Sequence, residues 1–488
     1  MSKTVSIIGS GFASLAAASY LAKDGYKVSV YEKNSDLGGR ARQLKKDGFT
    51  FDMGPSWYWM PDVFERFFAD FSKTPSDYYT LEKLNPAYKV FFEGGKSITI
   101  EDTLEKIYLA FEKEEKGSSK KLKKFIDQAQ SNYNIAIKDL VYRPGVSPVE
   151  LITPATIKKI GQFFGTIAGD VRKEFKNKNL IQILEFPVLF LGAKPIDTPS
   201  FYSFMNYADF GLGTWHPQGG MNKVIQGMIS LAESLGVKFH TNASVGKINV
   251  SEGKAKSISI DGEEIASDII LAGADYHHSE TLLEPKYRQY SEKYWDKKTF
   301  APSSLLFYVG FSKKIKNIEH HNLFFDVDFE AHANDIYDAP KWPKEPLFYA
   351  NFTSVTDANT APENCENGFF LIPLAPGLED TPELREKYFE KIITRFEKLS
   401  NQDVKKYVIF KESFCVNDFI KDYNSYKGNA YGMANTLMQT AFLRPKLMSS
   451  KVKGLFFTGQ LTVPGPGVPP ALISGKLVSG LIHKEFTI

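Results

Sequence analysis

The sequence predicts an α/β fold that begins with a strand–helix–strand unit of the parallel-sheet kind. Three observations in the first forty residues lead to this prediction. An apolar strand over 3–8 runs into a glycine-rich turn over 9–14, and a helix-forming run over 15–23 follows. A second strand covers 27–31, and Glu32 stands at its end. This order of strand, turn, helix, strand and acid is that of a Rossmann-like dinucleotide-binding unit.

Each residue type in this unit has a physical reason. Gly9 permits the sharp turn, and Gly11 lets the backbone approach a pyrophosphate. Phe12 and Ala13 lie at the positive end of the helix, where that pyrophosphate would sit. Glu32 is placed to accept hydrogen bonds from a ribose hydroxyl pair, which favours FAD or NAD over NADP.

A second glycine-rich segment follows the acid. Gly38 and Gly39 bring bare amides near a phosphate or ribityl chain, and Arg40 adds a guanidinium fork. Gly54 and Pro55 come next and belong to the predicted cofactor site. Here the chain resembles the flavoprotein superfamily of amine oxidases, protoporphyrinogen oxidases and carotenoid desaturases, whose amino termini carry such a Gly-Gly-Arg segment. The resemblance favours FAD as the ligand.

Length and composition exclude several classes of protein. The 488 residues exceed one ordinary core and should form two or three intertwined domains. A net charge of +3 does not favour nucleic acid, and the histidines and two cysteines show no metal-binding spacing. The few cysteines fit a reducing cytoplasm. No signal peptide is expected, and no apolar run reaches about 18 residues, so no membrane-spanning helix is expected.

Two stretches carry the aromatic residues that an apolar pocket needs. The loop over 56–61 forms either a local aromatic cluster at a domain junction, or a pocket wall or lipid-facing patch. The run over 180–191 is the most apolar stretch after the amino terminus. The candidate substrate residues in these stretches are Trp57, Tyr58, Trp59, Phe186 and Phe190.

Two titratable residues are candidates for proton transfer. Glu185 is the single charge in the apolar run, where burial would favour a protonated carboxyl near neutral pH; the alternative is that it points to solvent. His216 precedes a proline in a glycine-rich turn, where a structural role is the more common one. The catalytic group is therefore left unassigned.

The segment over 157–167 shows apolar residues at helical spacing with lysines on the other side. Such a helix most often faces the core, and we expect that placement here. A position in the membrane interface is the alternative.

The carboxyl-terminal segment is expected to close the cofactor site. A strand over 454–458 is followed by a Gly/Pro-rich loop and then by a helix. Such a unit presents free amides to flavin oxygens. The residues that we assign to this contact are Gly459, Gln460, Gly467 and Val468.

Five segments occur in the order found in bacterial-type phytoene desaturases and their carotenoid-modifying relatives. They are the turn 9–14 with Glu32, Gly38–Arg40, Phe51–Pro55, Trp215–Met221 and Gly459–Pro470. The resemblance spans essentially the full chain. Ser14 departs from the glycine of the pattern, as does the Gln-Leu-Thr run that begins at 460. In flavoproteins of this superfamily, the segment near Val245 supplies backbone contacts to adenine.

The resemblance implies an FAD-dependent enzyme that introduces conjugated double bonds into phytoene, toward lycopene, by hydride transfer to flavin N5. A 1-hydroxycarotenoid 3,4-desaturase or other carotenoid oxidase is the alternative. A non-catalytic isoprenoid-binding protein of the same fold is the alternative of another class. No metal is implied.

The resemblance also implies partners and a domain plan. The long apolar substrate would come from a membrane, so we expect a cytoplasmic protein bound peripherally to the membrane's inner face. The electron acceptor would be oxygen or a quinone, and homo-oligomerisation is left open. The expected plan is a Rossmann-like FAD-binding domain in three segments, 1–85, 214–285 and 436–488. A mixed-sheet and helical substrate domain is inserted over 86–213 and 286–435.

Overall fold

The computed structural model describes residues 2–486. The strands are β1 (Thr4–Ile8), β2 (Lys27–Tyr31), β3 (Gln43–Lys46), β4 (Phe49–Asp52), β5 (Leu81–Lys83), β6 (Tyr88–Phe92), β7 (Ser97–Ile100), β8 (Trp215–Pro217), β9 (Lys238–His240), β10 (Val245–Ser251), β11 (Lys254–Ile260), β12 (Glu263–Ala266), β13 (Ile269–Ala272), β14 (Ser303–Phe311), β15 (His321–Phe325), β16 (Phe348–Asn351), β17 (Glu366–Leu374), β18 (Val408–Phe414) and β19 (Leu455–Phe457). The helices are α1 (Phe12–Lys23), α2 (Pro61–Ala69), α3 (Leu104–Glu114), α4 (Ser118–Lys138), α5 (Pro154–Lys158), α6 (Gly161–Phe164), α7 (Ile167–Glu174), α8 (Lys178–Glu185), α9 (Phe204–Asn206), α10 (Asn222–Ser234), α11 (Tyr276–Thr281), α12 (Glu292–Asp296), α13 (Phe329–Tyr337), α14 (Pro382–Ser400), α15 (Val416–Tyr423) and α16 (Val468–Phe486).

A five-stranded parallel sheet has the strand order β19–β13–β1–β2–β9. Ile8 at the end of β1 lies beside Tyr31 of β2 and Ala272 of β13. Ala272 in turn lies beside Phe457 of β19. Strands from both ends of the chain therefore finish level with one another at one edge of the sheet, the edge at which parallel sheets bind ligands.

Helices α1 and α16, from opposite ends of the chain, pack directly against each other. A Cβ at Gly475 of α16 would lie 2.5 Å from the carbonyl oxygen of Ala13 and 2.7 Å from the Cβ of Ala16. Only glycine permits this approach. The alanine-rich sequence of α1 serves the same contact, because small side chains let helix axes come close.

Ser14 at the third fingerprint position is accommodated by a glycine on the sheet. Ser14 is fully buried, and a Cβ at Gly273 would lie 1.9 Å from its Oγ. Gly273 directly follows β13. The bare backbone that close helix–strand packing requires is therefore supplied here by the strand side as well as by the small residue in the helix.

A seven-stranded mixed sheet has the order β18–β14–β17–β16–β15–β6–β7. Its neighbouring strands are antiparallel, except that β15 pairs with β6 in parallel. In β14, Leu305 and Phe307 join the apolar cluster formed with α14, whereas Leu306 faces a large cavity on the other side. The alternation of side chains along each strand thus gives this sheet two apolar faces.

The segment over 157–167 differs from the prediction. Instead of one helix, it contributes to the three short helices α5, α6 and α7, and Gly165 separates the last two. Ile157, Ile160 and Phe164 are 57%, 59% and 78% exposed. The expectation that this face meets the core is therefore wrong for these three positions, because the breaks between the helices turn their side chains outward, whereas Phe163 and Ile167 do pack against the core. Across residues 2–486, every helix falls short of the length and apolarity needed to cross a membrane.

Candidate cofactor and substrate site

A cavity of about 600 Å³ is lined jointly by the carboxyl edge of the parallel sheet and by one face of the mixed sheet. All of the predicted cofactor residues line it: Gly9, Gly11, Phe12, Ala13, Glu32, Gly39, Arg40, Gly54, Pro55, Val245, Gly459, Gln460, Gly467 and Val468. Segments separated by more than 400 positions in the sequence thus meet at one site, as the aligned strand ends require.

Glu32 connects the glycine-rich turn to the segments that follow it. One carboxylate oxygen accepts hydrogen bonds from the amide and Oγ of Ser10, at 3.1 and 2.7 Å. The other accepts two from Asn34, from the amide and from Nδ2, both at 3.0 Å. Ser10 Oγ also accepts a hydrogen bond from the Gly38 amide at 3.1 Å. A carboxylate has about four acceptor positions, so a ribose hydroxyl would have to share or displace one of these donors.

The start of α1 fits a pyrophosphate. A Cβ placed on Gly11 would come within 4 Å of no atom of residues 2–486, so the bare backbone borders open cavity space. Amides at a helix start attract phosphate oxygens. Arg40 lines the same cavity, and its Nε is buried and finds no hydrogen-bond partner in the part of the chain that the structure describes. These two observations show that the residues present fit a dinucleotide cofactor.

Arg40, from the amino-terminal part of the chain, contacts residues of the carboxyl-terminal part at the cavity. Its Nη2 donates to Ser425 Oγ at 2.5 Å, and its guanidinium lies 5.1 Å from the centre of the Tyr423 ring. With the Gln460 amide oriented to satisfy both its atoms, the amide oxygen accepts a hydrogen bond from Arg40 Nη2 at 3.1 Å. Burial lowers the pKa of Arg40, and the nearby charge of Asp275 opposes that shift.

Arg444 fixes the carboxyl-terminal loop, and the sequence analysis missed it. Its side chain is 2% exposed, and burial lowers its pKa to about 10. The guanidinium donates five hydrogen bonds of 2.6 to 3.0 Å, to Asn435 Oδ1 and to the carbonyls of Met433, Gln439, Gln460 and Thr462. Its sequence neighbourhood gives no sign of this role, because every acceptor except the one on Asn435 is a main-chain atom.

Four of the five predicted substrate residues line the cavity: Trp57, Trp59, Phe186 and Phe190. The two tryptophan rings meet edge to face, with centres 5.2 Å apart. Tyr58 points away, since its ring stacks on Phe64 at 4.2 Å and its hydroxyl lies 2.9 Å from that of Tyr79. Successive side chains of an extended segment face opposite sides, so the assignment of Tyr58 to the substrate wall is wrong.

Neither candidate for proton transfer lines the cavity. Glu185 is 2% exposed and accepts two hydrogen bonds from Arg172, from Nε at 2.7 Å and from Nη2 at 3.0 Å. Both readings of Glu185, as an unpaired buried carboxylate or as a solvent-facing one, are therefore wrong. His216 is also buried, and its Nε2 lies 3.5 Å from Asp357 Oδ2.

A polar group that the sequence analysis missed reaches the cavity wall beside Trp57. Ser56 and Tyr349 line the cavity, and their hydroxyl oxygens are 3.0 Å apart. The Tyr349 hydroxyl lies 2.6 Å from Nδ1 of His321, whose ring is parallel to that of Trp57 at 4.0 Å. Ser56 and Tyr349 are 293 positions apart in the sequence, so neither one's local sequence indicates the other as a partner.

The chain is similar to flavin-dependent proteins, in agreement with the dinucleotide site described above. The family model described as flavin containing amine oxidoreductase matches residues 12–483. The chain is 40% identical over 478 residues to a carotenoid 3,4-desaturase of Haloarcula japonica, covering 97% of this chain and 96% of that protein. It is 30% identical to a zeta-carotene-forming phytoene desaturase of Myxococcus xanthus, covering 98% of this chain and 93% of that protein.

Solved structures show the same fold. An oxidoreductase from Methanosarcina mazei superposes with a TM-score of 0.61 at 15% identity, covering 98% of this chain and 100% of that one. Cyclohexylamine oxidase from Brevibacterium oxydans gives a TM-score of 0.60 at 13% identity, covering 100% of both chains. The predictions of an α/β fold and of FAD as cofactor are confirmed. The chain is an FAD-dependent oxidoreductase that belongs to the flavin-containing amine oxidoreductase family and, within it, to the carotenoid desaturases.

Proposed function

We propose that the protein introduces double bonds into an acyclic carotenoid. The observation that carries this proposal is the continuity of one cavity, which passes from the cofactor residues to a wall of aromatic and aliphatic side chains. A hydrocarbon offers no polar group for recognition, so its binding must come from buried apolar area, at about 25 cal/mol per Å². Trp57, Phe186 and Leu306 supply such area from three different parts of the chain.

Different residues of the site would bind the cofactor and orient the substrate. The turn at Gly9–Ala13 would hold the pyrophosphate of FAD, and Arg40 and Gln460 would hold the part of the cofactor that reaches the carboxyl-terminal loop. FAD, when bound, supplies the acceptor for the hydride that leaves the carbon chain. The aromatic wall around Trp57 and Trp59 orients that chain and excludes water.

The position of the new double bond is the finer part of the proposal. We favour the 3,4 position, because the chain is 40% identical to a carotenoid 3,4-desaturase and 30% identical to phytoene desaturases. Desaturation of phytoene is the second candidate, supported by the zeta-carotene-forming relative. The electron acceptor, self-association and the division into domains stay predictions.

Product analysis decides between these substrates. The purified holoprotein is incubated in liposomes with phytoene, with lycopene and with a 1-hydroxylated acyclic carotenoid, and the products are separated by chromatography. New absorption at longer wavelength from lycopene or the hydroxylated compound, with phytoene unchanged, is expected. Conversion of phytoene alone would support the second candidate. No conversion of any of the three would overturn carotenoid desaturation.

We further propose that the substrate reaches the cavity from a lipid bilayer. Exposed apolar side chains concentrate in the segment over 146–164 and form what we call the mouth patch: Val146, Val149, Ile152, Ile157, Ile160 and Phe164, which are 57% to 78% exposed. Contiguous exposed apolar area indicates an interaction surface. Gly145, Leu151 and Phe163, which line the cavity, lie between these positions in the sequence. Lys158 and Lys159 add positive charge suited to anionic lipid.

Vesicle flotation tests the mouth patch. The unmodified protein should float with anionic phospholipid vesicles, and Ile160→Glu combined with Phe164→Glu should abolish flotation, because two charges would enter the apolar layer. Leu109→Glu is the matched control, since Leu109 is 71% exposed on α3 and lies outside the mouth patch. Equal loss of flotation in the control, or flotation retained by the double variant, would contradict the proposed surface.

A further inference from the structure

Three buried histidine rings lie side by side behind the cavity wall. The ring centres of His321 and His320 are 4.5 Å apart, and those of His320 and His216 are 4.6 Å apart. The exposed fraction of each residue is 3% or less. We call these three residues the histidine row. Of these three residues, only His216 is a candidate from its local sequence, because His320 and His321 lie more than 100 positions further along the chain.

The inner end of the histidine row meets the cavity. His321 Nδ1 lies 2.6 Å from the hydroxyl oxygen of Tyr349, which lies 3.0 Å from that of Ser56. Tyr349 and Ser56 both line the cavity. Ser56 directly follows Gly54 and Pro55, which belong to the cofactor end of the same cavity. The row therefore begins where the aromatic wall and the cofactor residues meet.

The outer end of the row reaches a carboxylate near the protein surface. His216 Nε2 lies 3.5 Å from Asp357 Oδ2. Asp357 also accepts hydrogen bonds from the amides of Gly219, at 2.6 Å, and Asn359, at 3.1 Å. Asp357 itself is 2% exposed, and the two residues that follow it, Ala358 and Asn359, are exposed to solvent. The neighbouring His216 imidazole and those two amides lower the pKa of Asp357 to about 2.

Two ring nitrogens of the row are unsatisfied. Among residues 2–486, Nε2 of His216 and Nε2 of His321 have no hydrogen-bond partner, although both atoms are buried. Buried polar groups are normally paired, so unpaired ones indicate a functional constraint or a partner that is present for part of the time. Burial lowers the pKa of His320 and of His321 well below the usual range, so both rings rest in the neutral form, with one nitrogen able to accept a proton.

The structure assigns to the histidine row a route for protons between the cavity and the surface at Asp357. This inference rests on the proposed desaturation. That reaction removes a hydride from one carbon, with both electrons of its bond, and the flavin accepts it. The C–H bond of the adjacent carbon then breaks, its electron pair completes the new double bond, and a proton is released inside an apolar cavity. A cation spread over a polyene is a strong acid, so a weak base suffices, but the proton still needs a way out.

Each transfer along the route balances one bond formed against one broken. The proton from carbon binds the Tyr349 oxygen as the original hydroxyl proton moves to His321 Nδ1. His321 releases its other proton toward His320, which passes one on to His216, and His216 releases one to Asp357 and thence to water. The route requires the rings, whose centres lie 4.5 and 4.6 Å apart, to turn so that a nitrogen of one faces a nitrogen of the next. Each ring must then turn over before the next turnover, because the transfer leaves its proton on the opposite nitrogen.

The experiment compares Tyr349→Phe and His320→Asn with the unmodified holoprotein, using the carotenoid that it converts in liposomes. Tyr79→Phe is the matched control, since it removes an equally buried hydroxyl that pairs with Tyr58 outside the cavity. We expect kcat to fall by about 100-fold in the two row variants, in the range of lost proton-transfer catalysis. KM and flavin content should be unchanged, and solvent deuterium should slow the residual turnover more than it slows the unmodified protein.

The outcomes separate the two proposals. An unmodified protein that converts no carotenoid overturns the desaturation and the route together. An active unmodified protein whose Tyr349→Phe variant keeps kcat within about twofold overturns the route alone, since loss of a proton-transfer group should lower kcat by about 100-fold or more. A fall in kcat that Tyr79→Phe shares, or that follows loss of flavin, also overturns it. If His320→Asn fails to fold, Tyr349→Phe still decides, because it removes a single oxygen atom.

Discussion

Replacing Gly273 with alanine should weaken flavin binding and lower thermal stability, because Ser14 occupies the space that the new methyl group needs. The added Cβ would lie 1.9 Å from Ser14 Oγ, 3.2 Å from Ser14 Cβ and 3.4 Å from the carbonyl oxygen of Ile8. Strand β13 and helix α1 are both buried and closely packed, so the helix must shift away from the sheet. That shift moves the amides of Phe12 and Ala13, which face the cofactor cavity.

The size of the effect follows from overpacking. Inserting a methyl group into a packed interior costs about 1–3 kcal/mol, which corresponds to a fall of about 1–3 °C in the unfolding midpoint of a chain of this length. Ser14→Ala in the same chain removes the 1.9 Å contact and leaves one of 3.2 Å, so the double variant should recover at least half of the loss. Ser14→Ala alone should be neutral or stabilising, because Ser14 Oγ is buried without a partner in residues 2–486.

Thermal unfolding followed by the release of flavin fluorescence measures the midpoint, and titration of the apoprotein with FAD measures affinity. Gly480→Ala is the control, since a Cβ there would meet no atom of the described residues within 4 Å and alanine favours the helix. A Gly273→Ala protein with an unchanged midpoint would refute this reasoning. So would a double variant no more stable than Gly273→Ala.

Two further predictions concern the cofactor site and pH. Glu32→Ala and Arg40→Ala should each lower flavin affinity by about tenfold or more, because hydrogen bonds to charged groups contribute about 1.5–3 kcal/mol; full flavin content in both purified variants would contradict the proposed site. Burial raises the pKa of Asp209 to about 8, against the opposing hydrogen bond from Tyr88. The bound proton therefore stabilises the native state fully below the usual carboxyl pKa, and this contribution is lost as the pH rises through about 8. The free energy of unfolding in urea should fall between about pH 4 and pH 8, by at most about 1.4 kcal/mol per pH unit. Asp209→Asn should flatten this dependence, and equal slopes in both proteins would count against it.

The parts of the site that could be predicted depend on backbone requirements. A sharp turn, a close approach to phosphate and a helix start each restrict the residue type at a fixed offset, so Gly9, Gly11 and Glu32 are visible in the sequence. The carboxyl-terminal loop is visible for the same reason, through Gly459 and Gly467. Their φ values of +113° and +111° in the structure are ones that side-chain-bearing residues rarely adopt.

The parts that could not be predicted depend on which face a side chain takes. Tyr58 and Trp57 are neighbouring aromatic residues that the sequence does not distinguish. In the extended chain their side chains face opposite sides, so that Tyr58 packs on Phe64 and Trp57 faces the cavity. Ile157, Ile160 and Phe164 fit a core-facing helix in the sequence, but the helix breaks and these three side chains become exposed. The spacing of apolar residues predicts that one face of a helix is apolar, but it does not predict whether the protein core, a partner or a membrane contacts that face.

The sequence by itself determined the nucleotide-binding unit, the contribution of both chain ends to one cofactor site, and the apolar character of the substrate region. These features follow from local turn chemistry and composition. Only the tertiary structure decided that Arg172 pairs with Glu185, that Arg444 holds the final loop, and that three histidines line up behind Tyr349. Arg172 and Glu185 are 13 positions apart, Arg444 contacts acceptors 5 to 18 positions away, and His216 lies 104 positions before His320. No single stretch of sequence carries information about a partner that the sheet order alone brings to its side.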